Sequence, residues 1–374
     1  MDTRSNLRLA ALGDVMLARD VGRHYVERPD DFAMGPIRDL LQTYDIVCAN
    51  LENPVGVTGR PDPHQDPNVT FCAHPDTLNV LKTLNVSVVS LGNNHILDYG
   101  ESALVETLEH LDAAGIKWVG AGRNYEEANR PLLLEIGGRK LAFLSYAFIY
   151  SVNSRMASAR RSGLSDHRLP KVLSWIKELK RSGRDVIVMS HWGFEYSFYP
   201  LPYQMRSARQ MIDAGASVVL GHGPHYPQGI ERYRDGRIVY SLGNFIFDEP
   251  HKYANRSFVL GMEVDGQGVA RQQQVFPVHL RRHVPTLVEG AEKRRLGRLI
   301  DNLGERYPQK DRRFWRAQSV SYLTDLCGRV IRGRSLKYLL VPPAGFFVDV
   351  GVSSVLRKLR PTSILRLSRA FGSR

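Results

Sequence analysis

The stretch VSVVSLGNNHILDYG, residues 86–100, governs how the rest of the chain is read. It begins as a short apolar strand, Val86–Leu91, and then changes character: Gly92 is followed by Asn93, Asn94 and His95. Such a run of polar side chains does not continue a buried strand, but it can line a site. Four other apolar runs end in the same way. Leu7–Leu12 passes into Gly13-Asp14, and Ile46–Ala49 into Asn50-Leu51-Glu52. Val186–Met189 passes into Ser190-His191-Trp192-Gly193, and Val218–Leu220 into Gly221-His222-Gly223-Pro224-His225. Leu141–Tyr146 reads as a further strand. Between these runs, apolar residues at i, i+3 and i+4 predict helices over Thr77–Leu84, Ser102–Ala114, Leu169–Arg181 and Gln204–Ala214. Alternating strands and helices predict an α/β architecture. In open α/β sheets sites form outside the carboxyl ends of strands, so Asp, Glu, Asn and His converge on one edge. From Tyr226 to about Pro277 the runs IVYSLGNFIF and RSFVLGMEV predict a second, more antiparallel sheet packed on the first.

The 374 residues are 43% hydrophobic and 24% charged, which excludes collagen-like, low-complexity and mainly disordered chains. The net charge of +13 is unevenly spread. Residues 281–374 hold 21 Lys/Arg against 7 Asp/Glu, a surplus of +14, which leaves residues 1–280 at −1. The predicted division is therefore a near-neutral body, 1–280, and a basic, mainly helical extension, 281–374. In the extension, Ala291–Leu303, Phe314–Ile331 and Val352–Phe371 read as helices with Arg on one face and apolar residues on the other. That composition suits an anionic membrane surface or a packed, solvated face; no recognition motif supports nucleic acid. Cys48, Cys72 and Cys327 form no disulfide or zinc spacing and predict reduced thiols. The N-terminus lacks the apolar core of a signal peptide, and no clean 18-residue apolar run is present. The expected location is cytoplasmic, free or peripheral at the inner face of the membrane.

Oxygen and nitrogen donors without Cys suit Mn, Fe, Zn or Mg. Carboxylates can bridge two ions that hold both the attacking water and the leaving oxygen of a phosphoester. A neighbouring uncoordinated His can then protonate the leaving group. Each residue alone has an ordinary reading. Asp14 caps a turn, Asn50 and Glu52 precede Pro54, and Glu195 is a surface carboxylate. His191 is a core histidine beside Trp192, and one of His222 and His225 is structural. Their joint placement favours the metal. No G-x-G-x-x-G after a strand, Walker loop, G-x-S-x-G or HExxH competes.

The segments LAALGDVMLAR, DIVCANLENPV, VSVVSLGNNHILDYG, DVIVMSHWGFEY, GASVVLGHGPHYPQGIE and RIVYSLGNFIFD, in that order, carry a resemblance. It is to the CapA-like poly-γ-glutamate capsule synthesis family within the calcineurin-like metallophosphoesterases, and it spans residues 8–248. The resemblance implies a two-sheet αββα sandwich. It implies Asp14 as the first-strand metal ligand, Glu52 in place of a bridging Asp, Asn94 as an amide ligand and His95 as general acid. It implies His191, His222 and His225 as imidazole ligands, and Asn50, Asn93, Glu195 and Asn244 as pocket residues that orient substrate or ligands. Three positions depart from the superfamily pattern: Met16 stands where a His is usual, Glu52 replaces Asp, and Ile96 follows the Asn-His pair, with Asp98 two residues on. The expectation is one firm metal site and one weak one. The implied function is a metal-dependent, phosphoesterase-like hydrolase serving capsule or another extracellular anionic polymer such as poly-γ-glutamate. Its partners would be a phosphorylated or anionic polymer substrate and, through residues 281–374, a membrane surface or membrane synthase. The alternative is a non-catalytic accessory subunit docked on that synthase. In the loop Ser151–Asp166, Arg155, Arg160 and Arg161 are candidate receivers of phosphate or carboxylate.

Overall fold

The computed structural model describes residues 7–306, apart from 64, 149–153, 249–250, 252 and 265–269. The chain begins β1 (Leu7–Val15), α1 (Arg19–Glu27), α2 (Gly35–Leu41), β2 (Ile46–Leu51), α3 (Leu78–Thr83), β3 (Val88–Ser90) and α4 (Gly100–Ala113). It continues with β4 (Lys117–Val119), β5 (Ala121–Gly122), α5 (Tyr125–Asn129), β6 (Leu132–Ile136), β7 (Arg139–Ala147), β8 (Gly163–Leu164), α6 (Leu169–Arg181), β9 (Asp185–His191), α7 (Pro202–Asp213) and β10 (Ala216–His222). It closes with β11 (Ile230–Tyr233), β12 (Gly236–Val239), β13 (Asn244–Ile246), β14 (Arg256–Val264), β15 (Ala270–Arg281), β16 (Val284–Leu287) and α8 (Gly290–Arg306).

Two sheets form. The first has the order β16-β15-β14-β1-β2-β3-β4, with β13 also paired to β1; the second runs β11-β12-β10-β9-β7-β6. The period of two along β1 explains the layering. Leu7, Leu9 and Ala11 face the core between the sheets, where Ile46, Val88 and Phe258 meet Phe143, Ile187 and Leu220. Ala10 and Leu12 face the opposite way, against Val21 of α1, Ile37 of α2, Leu81 of α3 and Leu108 of α4. On the far side of the second sheet, Val186, Val188 and Val219 pack under Val172 and Ile176 of α6 and Met211 of α7. The result is the expected αββα sandwich. Each fully buried Leu, Ile or Phe in the middle layer contributes about 1.5–3 kcal/mol.

The expected separate antiparallel sheet over 226–277 is corrected. β11 and β12 join the second sheet, whereas β13, β14 and β15 join the first. The reason is the crossing at Ser241–Gly243. Asp14 N donates to Gly243 O at 2.9 Å, which draws β13 alongside β1. A Cβ on Gly13 would lie 1.9 Å from that carbonyl oxygen, so the contact requires glycine. β14 takes the same edge of β1 further back along the strand, with Leu7 opposite Val264 and Ala11 opposite Leu260, while β2 holds the other edge.

Beyond residue 280, β16 extends the first sheet and α8 lies on the body. Leu296 and Ile300 enter the inter-sheet core, while Lys293, Arg294, Arg295 and Arg298 stay exposed. This is the amphipathic helix expected over Ala291–Leu303. The helices expected over Phe314–Ile331 and Val352–Phe371 lie outside the described residues. Among the described residues, no helix is long and apolar enough to cross a membrane.

Candidate metal centre

The parallel strands of both sheets end at one seam. β1 carries Asp14 and β2 carries Asn50 one residue before their ends, with Glu52 just beyond β2, and β3 leads into Asn93, Asn94 and His95. From the second sheet, β9 ends at His191 and β10 at His222, with His225 after the Gly223-Pro224 turn. Asn244 opens β13 in register with Asp14. All of these side chains are buried; Glu195 is half-buried. Strand alternation sends Trp192 into the outer core beneath α6 and α7, which leaves His191 at the seam. The β10 turn is tight. Gly223 has φ +102°, and a Cβ there would lie 3.0 Å from His191 Nε2. His225 adopts φ +59°, a left-handed conformation that costs a non-glycine residue about 1–3 kcal/mol and that clusters at functional sites.

The three-way convergence is close. One donor atom each from Asp14, Glu52 and His191 lies within 4.8 Å of the others. His191 Nε2 is 3.8 Å from Glu52 Oε1. His225 stands against both carboxylates, its Nδ1 3.5 Å from Asp14 Oδ2 and its Nε2 3.7 Å from Glu52 Oε1. Asn244 Oδ1 holds His225 Nδ1 at 2.8 Å, so this residue orients a ring. His222 turns Nε2 to Leu12 O at 3.2 Å. Asn94 sits buried at the same edge, its main-chain carbonyl accepting from Ser154 Oγ at 3.2 Å.

The charges are unevenly matched. Burial would raise the Asp14 carboxyl, but the hydrogen bond and charge of His225, with His222 and His191, hold it well below the usual carboxylate range. Burial would lower His225, yet Glu52 and Asp14 hold it well above an ordinary imidazole. Burial and the neighbouring Asp14 push Glu52 well above the carboxylate range. Burial pushes His191 down to about 3 and also lowers His222, so both rings are neutral and available as ligands. Glu195 acts on Glu52 and His225 through its charge.

Two further atoms test whether a cation fits. Glu52 Oε1 and His222 Nδ1 are buried without a hydrogen-bond partner. Orphaned acceptors beside neutral imidazoles and an ionised Asp are what a divalent ion would satisfy, and the donor set is all oxygen and nitrogen. The residues fit. Met16 does not contribute. It is fully buried in the core under the first sheet, with Sδ 3.1 Å from Ala18 N.

Asn50 and Asn93 face protein groups at the seam. Both are fully buried, and both amides are committed to protein groups. Asn50 Nδ2 meets Asp14 Oδ1 at 2.9 Å, Glu52 Oε2 at 3.3 Å and His191 Nδ1 at 3.3 Å. Asn93 Nδ2 donates to Asn50 Oδ1 at 3.2 Å and Leu51 O at 2.8 Å, and His95 N donates to Asn93 Oδ1 at 3.1 Å.

Beside this cluster stands a second pair that includes a residue without a role in the sequence reading. His95 Nδ1 lies 2.8 Å from Asp98 Oδ2, and Asp98 also accepts from Phe71 N and Gln65 Nε2, each at 2.9 Å. Burial raises the Asp98 carboxyl, against the pull of His95. The Phe71 ring packs on His95 with centroids 4.3 Å apart. The signal was present as a carboxylate three residues after His95, one turn of chain that brings the side chains together.

Two of the three arginines expected to receive an anion are engaged. Arg155 pairs with Glu101 at 2.6 Å and Arg161 with the same carboxylate at 3.4 Å. Ser162 joins them at 2.9 Å, which docks this loop on α4. Arg160 is exposed.

Comparison with known proteins identifies a family. The family model described as "Bacterial capsule synthesis protein PGA_cap" matches residues 8–249. The chain is 29% identical over 299 residues to the capsule biosynthesis protein CapA of Bacillus anthracis, covering 79% of this chain and 72% of that one. It is 30% identical over 285 residues to the PGA biosynthesis protein CapA of Bacillus subtilis, covering 76% and 74%. Similar solved structures include a hypothetical protein from Thermus thermophilus, at TM-score 0.45 and 18% identity over 72% of this chain and 98% of that one. Another is the NAD nucleotidase of Haemophilus influenzae, at TM-score 0.45 and 14% identity over 79% and 62%.

Proposed function

The chain belongs to the bacterial PGA_cap capsule synthesis family, and from that premise we propose that it is a divalent-metal-dependent hydrolase of the phosphoesterase type. It serves the synthesis of capsule or another extracellular anionic polymer such as poly-γ-glutamate. The observation that supports this reading most directly is the buried convergence of Asp14, Glu52 and His191 within 4.8 Å, with Glu52 Oε1 lacking a hydrogen-bond partner. Asp14, Glu52, Asn94, His191 and one of His222 and His225 would hold the ion, of Mn, Fe, Zn or Mg. When bound, it supplies Lewis acidity to a water and to an anionic oxygen.

The chain's own groups do the rest. Asp98 holds His95 by Nδ1, so Nε2 is the atom left to carry a proton to a leaving oxygen. Phe71 covers one face of that ring and excludes water from it. Asn244 fixes the ring of His225.

The deciding experiment is elemental analysis of purified wild type beside His191→Ala, followed by a phosphoester screen. Near-stoichiometric metal in wild type and its loss in the variant are expected. A wild-type protein that neither holds nor takes up metal sinks the reading. A second reading, a non-catalytic accessory subunit docked on a membrane synthase, is favoured by one observation: Met16 is buried in the core and adds no ligand. Under that reading, His95→Ala leaves the cellular polymer phenotype intact and deletion of 307–374 abolishes it. A deletion that leaves partner binding and phenotype untouched excludes it.

A further inference from the structure

Asn50 occupies an unusual place: its amide nitrogen touches all three members of the convergent set. The orientation of that amide is determined by main-chain groups two steps away. His95 N can only donate, so the atom of Asn93 that meets it is Oδ1. Leu51 O can only accept, so the atom of Asn93 that meets it is Nδ2. The two assignments agree, and together they leave Asn93 Nδ2 as the donor to Asn50. Asn50 therefore presents Oδ1 to Asn93 and Nδ2 to Asp14 Oδ1, Glu52 Oε2 and His191 Nδ1. Two hydrogens face three acceptors, in a fully buried setting where each acceptor needs a partner.

We propose that Asn50 is a positioning residue for the metal site: its amide gathers Asp14, Glu52 and His191 into ligand geometry before an ion arrives, and Asn93 ties that amide to the His95 loop. The inference rests on the metal reading above. It adds that the donors are held by a neutral surrogate and that ion binding and the placement of His95 share one hydrogen-bonded chain. Groups that orient metal ligands typically change affinity by about 10–100-fold when removed.

Two variants test it. Asn50→Ala removes the gathering amide without adding charge. The Kd for Mn²⁺, read by titration against free-ion EPR signal on protein of verified circular dichroism, rises about 10–100-fold. Asn50→Asp keeps an acceptor for Asn93 but places a third carboxylate against Asp14 and Glu52. Its melting temperature falls in EDTA and is largely restored by saturating Mn²⁺, so the Mn²⁺-induced shift exceeds that of wild type. A merely structural role would lower the melting temperature equally with and without the ion. An Asn50→Ala Kd within twofold of wild type, or equal Mn²⁺-induced shifts in Asn50→Asp and wild type, overturns the proposal. A wild type that binds no Mn²⁺, Zn²⁺ or Fe²⁺ overturns instead the metal reading beneath it.

Discussion

Of the candidate ion donors and the amide among them, the first sheet brings Asp14, Asn50, Glu52 and Asn94 to the seam, all oxygen-bearing side chains, whereas the second brings His191, His222 and His225, all imidazoles. Neither half is a site. The carboxylates alone would repel one another, and the histidines alone, lowered by burial at His191 and His222, would be neutral rings with little to hold them. Joining the halves is the task of the middle layer, where Ile46 and Phe258 of one sheet meet Phe143 and Leu220 of the other. The difference between the sheets teaches that the metal centre is a property of their packing and not of either strand set.

The strongest way to break that comparison is to remove one donor from each half. Asp14→Ala and His191→Ala are each expected to lose stoichiometric metal completely by elemental analysis. An Asp14→Ala protein that keeps its ion would show that the histidine half suffices. Next in size, His95→Ala keeps its metal but loses about 10²–10⁴-fold in turnover of whichever phosphoester wild type hydrolyses. Undiminished turnover removes His95 from the acid role. A smaller effect sharpens the comparison through the core. Phe258→Ala, between the sheets, and Leu104→Ala, under the first sheet, cost about 3–5 and about 2–5 kcal/mol of stability in urea titrations. Only the former is expected to weaken Mn²⁺ binding in protein that is still folded. Equal weakening would mean that the seam is not what matters. The smallest effect concerns the loop that docks on α4. Arg155→Ala breaks a half-exposed ion pair with Glu101 and costs up to about 1 kcal/mol, with metal content unchanged.

Much of this was legible because strands advertise their ends. Asp14, His191 and His222 each terminate an apolar run, and a polar side chain there does not continue the buried core. The αββα layering came through the resemblance, since periodicity alone does not say which strand joins which sheet. The split of residues 226–277 between both sheets depends on Gly13 admitting the Gly243 carbonyl, a contact between positions far apart in the chain. The same limit applies to Asn50. A strand-end amide reads as a pocket lining until the partners of both its atoms are known. Asp98 was noted only as displaced from the usual position, because its role depends on a local turn that brings it back to His95. Met16 at a ligand position was visible as a departure; that the thioether is buried away from the seam was not.

The placement of β1 has a consequence for how the molecule comes into being. β1 lies between β2 and β14, with Leu7 paired to Val264, so the edge that β1 presents when it is made is closed only by a strand far downstream. Pairings of such long sequence separation are slow to form, and an open strand edge invites association with other chains. A nascent chain that has emerged through Asn244 already contains every donor named above, yet its first sheet lacks a flank. Possession of the ligands precedes possession of the site, and a chaperone, or the metal itself, has an interval of synthesis in which to act on the unfinished protein.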